Sequence, residues 1–494
     1  MYIGVLSHTI PGMDKVIHDL KPQAVWKQFA AISAIPRCSK KEEAIRTYVI
    51  GEAQRLGLVH KTDAVGNVVV YRPAAPSRSS AKTVVLQGHL DMVCEKNMGT
   101  THDFDRDPIK LIREGDWLRA DNTTLGADNG IAVAMMLAVL EDKGDFGPIE
   151  CLFTVDEETG LTGALKLDPS LINGRTLINL DSEEEGFFCI GCAGGRNTYG
   201  TFPCVWQDTG SLTAVEVRIL GLQGGHSGAE IHLGRGNSLV LGGRLLAALR
   251  HAVPEVLLAD IHGGDKHNAI PREFRAIVLV PADQVHTIES VCAEFGVTAR
   301  DELGDVDPAL TIESAAVDMP TRSLNSEDTG RMIDFMRAMP NGVLGMSKEV
   351  EGLVETSTNF AAMRIEEGAI SVLTSQRSSR GSLIAAAAES VAATIRLAGG
   401  SPRFAEGYPA WQPRPTSPLV DTAVQVYRQQ FNKEAEVGAF HAGLECGVIA
   451  DRVGEMDMIS FGPEMEGVHT PEERLSISST ERTWQLLVAL LAAI

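Results

Sequence analysis

Three short apolar runs each end on residues that bind metals, and this pattern confines the chain more than any other feature. Residues 83–86 lead into Gln87-Gly88-His89-Leu90-Asp91, residues 151–155 into Asp156-Glu157-Glu158, and residues 176–180 into Asp181. Such runs read as buried strands. Helical patterns alternate with them. In 24–58, Val25, Phe29 and Ile32 recur at helical spacing, followed by Ala44, Ile45, Val49 and Leu56; 129–141 is rich in Ala, Met and Leu. Strands alternating with helices predict an α/β sheet. Ligands of such sheets bind beyond the carboxyl ends of the strands, which is where His89, Glu157, Glu158 and Asp181 fall.

The texture changes after residue 195. A strand at 215–220 runs into Gly224-Gly225-His226-Ser227-Gly228, and a helix at 238–252, a strand at 276–280 and a helix at 285–295 follow. A strand at 371–373 and an Ala-rich helix at 383–397 complete what reads as an inserted α+β domain. Gly399-Gly400-Ser401-Pro402 reads as the hinge back. The expected organisation is a catalytic domain in two parts, 13–194 and 399–494, with a lid at 195–398 long enough for two similar subdomains. A chain of 494 residues is too long for one ordinary core.

Charge narrows the partners. Lys and Arg total 44 against 65 Asp and Glu, a net charge of −21. That surface repels a phosphate backbone, so no nucleic-acid partner is expected, and a cation is the more natural guest. No apolar run approaches the ~20 residues of a membrane span, so no membrane association is expected. Residues 1–12 lack a basic leader and read as an extra N-terminal stretch rather than a signal peptide, with Met13 an alternative start. Of the eight cysteines, Cys189 and Cys192 form a lone C-x-x-C, which reads as buried apolar side chains rather than a zinc ribbon. This usage fits a reducing cytoplasm.

The residues available for chemistry are His89, Asp91, Asp128, Glu157, Glu158, Asp181 and His469. Two imidazoles and three carboxylates, one of them shared, give two metals three ligands each. Two carboxylates are left over. Asp91 stands two residues from His89, on the same side of an extended segment, and can accept the second imidazole N–H. Glu157 and Glu158 are adjacent and cannot both face one metal, so one is a ligand and the other a proton acceptor. His441 and Glu445, four apart, could form a third metal site, but Gly443 and Gly447 argue against a regular helix there. Gly225-His226-Ser227-Gly228 lacks the spacing of a serine nucleophile elbow.

These segments, with Leu125-Gly126-Ala127-Asp128-Asn129-Gly130, Asn179-Leu180-Asp181-Ser182-Glu183 and His469-Thr470-Pro471, resemble in order and spacing the di-zinc exopeptidases that include carnosinases, aminoacylases and glutamate carboxypeptidases. Gly225-His226-Ser227-Gly228 resembles that family's lid motif. His267-Asn268-Ala269-Ile270-Pro271-Arg272 and His441-Ala442-Gly443-Leu444-Glu445-Cys446-Gly447 look like those of bacterial aminoacyl-histidine dipeptidases. The resemblance implies two zinc ions, replaceable by cobalt or manganese. His89 and Asp181 would hold one, Glu158 and His469 the other, with Asp128 as bridge. It further implies Glu157 as general base, Asp91 as the group orienting His89, and a cis peptide after Asp128. His226 would stabilise the oxyanion. Asn268, Arg377 (or its neighbour Arg380) and Gly443 would hold the substrate carboxylate. The implied reaction is hydrolysis of small peptides, Xaa-His dipeptides preferentially, by a monomer or a homodimer. The alternatives are an N-acyl-amino-acid deacylase or tripeptidase of the same family, and a non-catalytic binding protein on the same scaffold.

Overall fold

The computed structural model describes residues 16–366 and 368–494; the N-terminal stretch and Met13 discussed above lie outside them. The chain forms two compact units. The first comprises the chain up to Cys192 with Trp411–Ala439 and Leu444–Ile494, and the second comprises Ala193–Ala410 with Phe440–Gly443.

The first unit is built on an eight-stranded sheet in the order Val59–Thr62, Val68–Arg72, Ile149–Thr154, Val84–His89, Thr176–Asn179, Asp457–Ser460, Phe187–Cys192, Glu436–Phe440. Four central strands, Ile149–Thr154, Val84–His89, Thr176–Asn179 and Asp457–Ser460, are mutually parallel. The first three of these are buried along their whole length. Burial on both faces explains why their sequences run apolar instead of alternating. Parallel pairing also puts their carboxyl ends at one edge: His89 lies opposite Thr154, and Gln87 opposite Asn179. The helix Ala127–Glu141 is buried at every residue except Glu141, as its apolar run from Ile131 to Leu140 requires.

Two local expectations need correcting. The helix expected over 24–58 is two helices, Gln23–Ser33 and Glu43–Arg55. Pro36 disfavours helix for the residue before it and the intervening segment is irregular. Within that segment Cys38 is disulfide-bonded to Cys94, a pairing absent from the sequence-based expectations. Cys189 and Cys192 are buried on one strand.

The second unit contains two βαββαβ modules on one antiparallel sheet. One runs through the strand Thr213–Leu220, helix Ser238–Ala252, strands Leu257–Gly263 and Phe274–Val280, helix Val285–Leu303 and strand Thr311–Ala316. The other begins with the strand Gly194–Phe202. It resumes after the first module with helix Ser326–Ala338, strands Val354–Glu366 and Ala369–Ser378, helix Gly381–Leu397 and strand Ser401–Phe404. Within each module the strands lie in the order fourth, first, third, second. The two second strands meet antiparallel, with His262 opposite Arg364 and Gly263 opposite Met363, so the order is palindromic across the join. The unit therefore continues past Gly399, because Ser401–Phe404 pairs with Gly194–Phe202.

Candidate metal centre

The carboxyl edge of the first sheet gathers the seven residues singled out from sequence. His89 is the last residue of its strand, and Glu157 and Glu158 follow just beyond Ile149–Thr154. Asp181 lies two residues past Asn179, and His469 lies beyond Asp457–Ser460. Asp128 sits in the first turn of the buried helix, where its backbone departs from helical geometry; the Asp128–Asn129 peptide is cis.

Their geometry sorts them into two sets joined by one residue. Asp128 Oδ1 is 3.0 Å from His89 Nε2, and Asp128 Oδ2 is 3.0 Å from His469 Nε2. Asp181 Oδ1 lies 3.4 Å from the same His89 nitrogen. Glu158 Oε2 lies 3.0 Å from His469 Nε2. The other Glu158 oxygen is buried and has no hydrogen-bond partner among the described residues. Ligand atoms of His89, Asp128 and Glu158 fall within 4.8 Å of one another. A split carboxylate between two imidazoles and an orphaned buried carboxylate oxygen fit a pair of cations.

Asp91 lies behind His89, with its Oδ1 3.4 Å from Nδ1. It also accepts from the backbone N–H groups of Glu157 and Glu158, at 3.0 and 3.2 Å. One buried carboxylate thereby fixes both the ring and the Glu157–Glu158 backbone.

The electrostatics reflect five carboxylates in one small space. Burial opposes charge on His89 and His469, but their carboxylate partners outweigh it: both rings are raised, His469 to about 11. Burial raises Asp181 to about 6, against the pull of His89. It raises Glu157 well above the carboxylate range; His89 opposes this, and Asp181, Glu158 and Glu445 add to it. For Asp128 burial acts upward, but bonds from His469 and His89 hold it well below that range.

In the second unit His226 lies on a short strand paired with Ala269–Ile270, and the Ser227 N–H donates to the Asn268 carbonyl at 2.8 Å. Arg377, buried in the strand Ala369–Ser378, donates to the Tyr408 hydroxyl at 2.8 Å. Its Nε is buried without a hydrogen-bond partner among the described residues. Arg380, the alternative clamp, is engaged by Glu355 and Glu349 at 2.8 and 2.6 Å. Gly443 packs against the Tyr408 ring, where a Cβ would come within 2.9 Å. His441 precedes the helix Glu445–Val453 and shares no helix face with Glu445. It bonds Ser357 Oγ at 2.8 Å, and burial, with Arg377 and His226 nearby, lowers its pKa to about 3. Tyr408 and Ser357 carry no motif that would have marked them in advance.

Known proteins resemble the chain along most of its length. Residues 85–493 match the family model "Peptidase family M20/M25/M40". The chain belongs to this peptidase family. It is 38% identical over 486 residues to the cytosol non-specific dipeptidase of Escherichia coli (strain K12), covering 97% of this chain and 99% of that protein. The crystal structure of an aminoacylhistidine dipeptidase from Vibrio alginolyticus superposes with a TM-score of 0.87 at 38% identity, covering 96% and 97% of the two chains. A Staphylococcus aureus tripeptidase shares the fold, with a TM-score of 0.55 at 15% identity over 96% of this chain and 98% of that one. As an M20 peptidase the chain is a hydrolase. Among its described residues no helix is long and apolar enough to cross a membrane.

Proposed function

We propose that this M20 peptidase is a cytoplasmic metal-dependent dipeptidase that prefers Xaa-His substrates. His89 and Asp181 would hold one divalent cation and Glu158 and His469 a second, zinc by preference, with Asp128 shared. One observation carries this reading: the two Asp128 oxygens each lie 3.0 Å from a different imidazole. The high identity to two proteins named as dipeptidases supports the substrate class.

When bound, the cations would acidify the attacking water and polarise the scissile carbonyl. Glu157 accepts the proton of that water and later delivers one to the leaving amine. Its solvent-stripped setting supports this role by raising its proton affinity. Asp91 holds Nδ1 of His89, leaving Nε2 for the metal side. His226 donates to the developing oxyanion. Arg377, with Asn268 and Gly443, receives the C-terminal carboxylate of the substrate. Tyr408 orients the Arg377 guanidinium, and the buried Arg377 Nε, with no hydrogen-bond partner among the described residues, supports a carboxylate guest.

Replacing the base tests the mechanism. Glu157→Gln is expected to lower kcat on Xaa-His dipeptides by ~10²–10⁴-fold with the metal content per chain unchanged. Turnover that survives both this change and chelation would overturn the mechanism. Equal or faster hydrolysis of N-acyl amino acids or tripeptides in a substrate panel would overturn the assigned specificity.

A further inference from the structure

Asp128 is useful as a bridge only if its carboxylate is free of its own backbone. Acidic side chains beside a helix N-terminus tend to bond the unpaired amides there. The N-cap position of the helix Ala127–Glu141 is Gly126, which has no side chain for that task. The task falls to a residue far away in sequence. Glu473 Oε2 accepts from the Leu125 and Gly126 amides at 2.7 and 2.9 Å, and its Oε1 from the Ala127 and Asp128 amides at 2.7 and 3.3 Å. The Glu473 side chain is almost fully buried, 2% exposed. A charged carboxylate is so deeply buried only where donors saturate it.

The same loop is held by Arg37, also 2% exposed. Its guanidinium donates to the Gly126 carbonyl, and to the carbonyls of Leu90 and Asp91 at 3.1 and 2.9 Å. One cation thus ties the turn that presents Asp128 to the segment that presents His89 and Asp91. Glu473 stands four residues after His469, so its carboxylate ties Asp128 to the segment of the other imidazole.

We infer that Glu473 and Arg37 form a clamp that positions the bridging carboxylate, with Glu473 replacing the missing helix cap. Both are positioning residues: neither reaches the substrate, and they act through Asp128. The inference rests on the metal assignment proposed above. Without Glu473 the four amides compete for the Asp128 carboxylate and turn it away from one cation.

Zinc titration of metal-stripped protein against a chromophoric chelator tests the clamp. Wild-type protein is expected to take two zinc ions per chain. Glu473→Gln, which sets an NH₂ donor against amide donors, is expected to bind at least one of them about 10–100-fold more weakly. Its kcat should fall at limiting zinc and recover in excess zinc, a rescue that general destabilisation would not show. Wild-type affinity for both ions in Glu473→Gln overturns the clamp and leaves the metal assignment standing. Wild-type protein that binds no zinc overturns both. If Glu473→Gln does not fold, Arg37→Lys is measured in the same way, and unchanged zinc affinity there overturns the clamp.

Discussion

His469 illustrates how a metal site is written in proton chemistry. Burial alone would favour the neutral ring, yet bonds to Asp128 and Glu158 raise it to about 11. Without a cation the imidazolium proton supplies the positive charge that the carboxylates need. His89 is raised in the same way by Asp181, Asp128 and Asp91. A metal must displace these protons, because only the neutral ring is a ligand. The sign follows: folded metal-free protein holds the protons throughout the neutral range, so metal affinity rises with pH and falls as pH drops. At pH 7 binding is expected to release about one proton or more per metal ion. Calorimetric titration in buffers of different ionisation enthalpy measures that number, and an apparent enthalpy independent of buffer would contradict it. The residues proposed as ligands were legible as a group in sequence, because histidine and paired carboxylates at strand ends have few other reasons to occur together. Glu473 was not. It adjoins Glu472 in what reads as a solvated acidic pair, and only the fold reveals the four amides that it meets.

At the scale of elements, the turn before the buried helix couples conformation to packing. Gly126 has φ +69, and a Cβ there would lie 2.5 Å from Arg37 Nη2 and 2.7 Å from Met92 Sδ. Gly126→Ala is expected to destabilise the first unit by about 2–5 kcal/mol, roughly 1–2 from the left-handed backbone and 1–3 from crowding. Urea unfolding checks this through a lower midpoint at unchanged m-value. Gly160→Ala, at a site with no neighbour within 4 Å, serves as the control and should be near neutral. The parallel strands were legible because they are buried on both faces and therefore run apolar. The break at 34–42 was obscured by the helical patterns on either side, and Arg37 within it reads as an ordinary surface cation. The palindromic strand order of the second unit depends on pairings between distant residues, which periodicity does not encode.

At the scale of the whole molecule, the two units have separate hydrophobic cores. One gathers Trp26, Phe29 and Leu486, and the other Phe202, Leu245 and Phe360. All five proposed ligands belong to the first unit, whereas His226, Asn268, Arg377 and Gly443 belong to the second. Binding stabilises what it binds: at a free metal concentration 100 times Kd the gain is about 2.7 kcal/mol per site. Chains with several cores commonly unfold in more than one step. Chelation is therefore expected to lower one calorimetric unfolding transition and leave the other in place. Leu245→Ala, a truncation inside the second core that costs about 2–5 kcal/mol, identifies the transition that should not respond to chelator. If chelation instead shifts the Leu245-sensitive transition, the ligands are not confined to the first unit, and the assignment of the metal centre to its sheet edge fails.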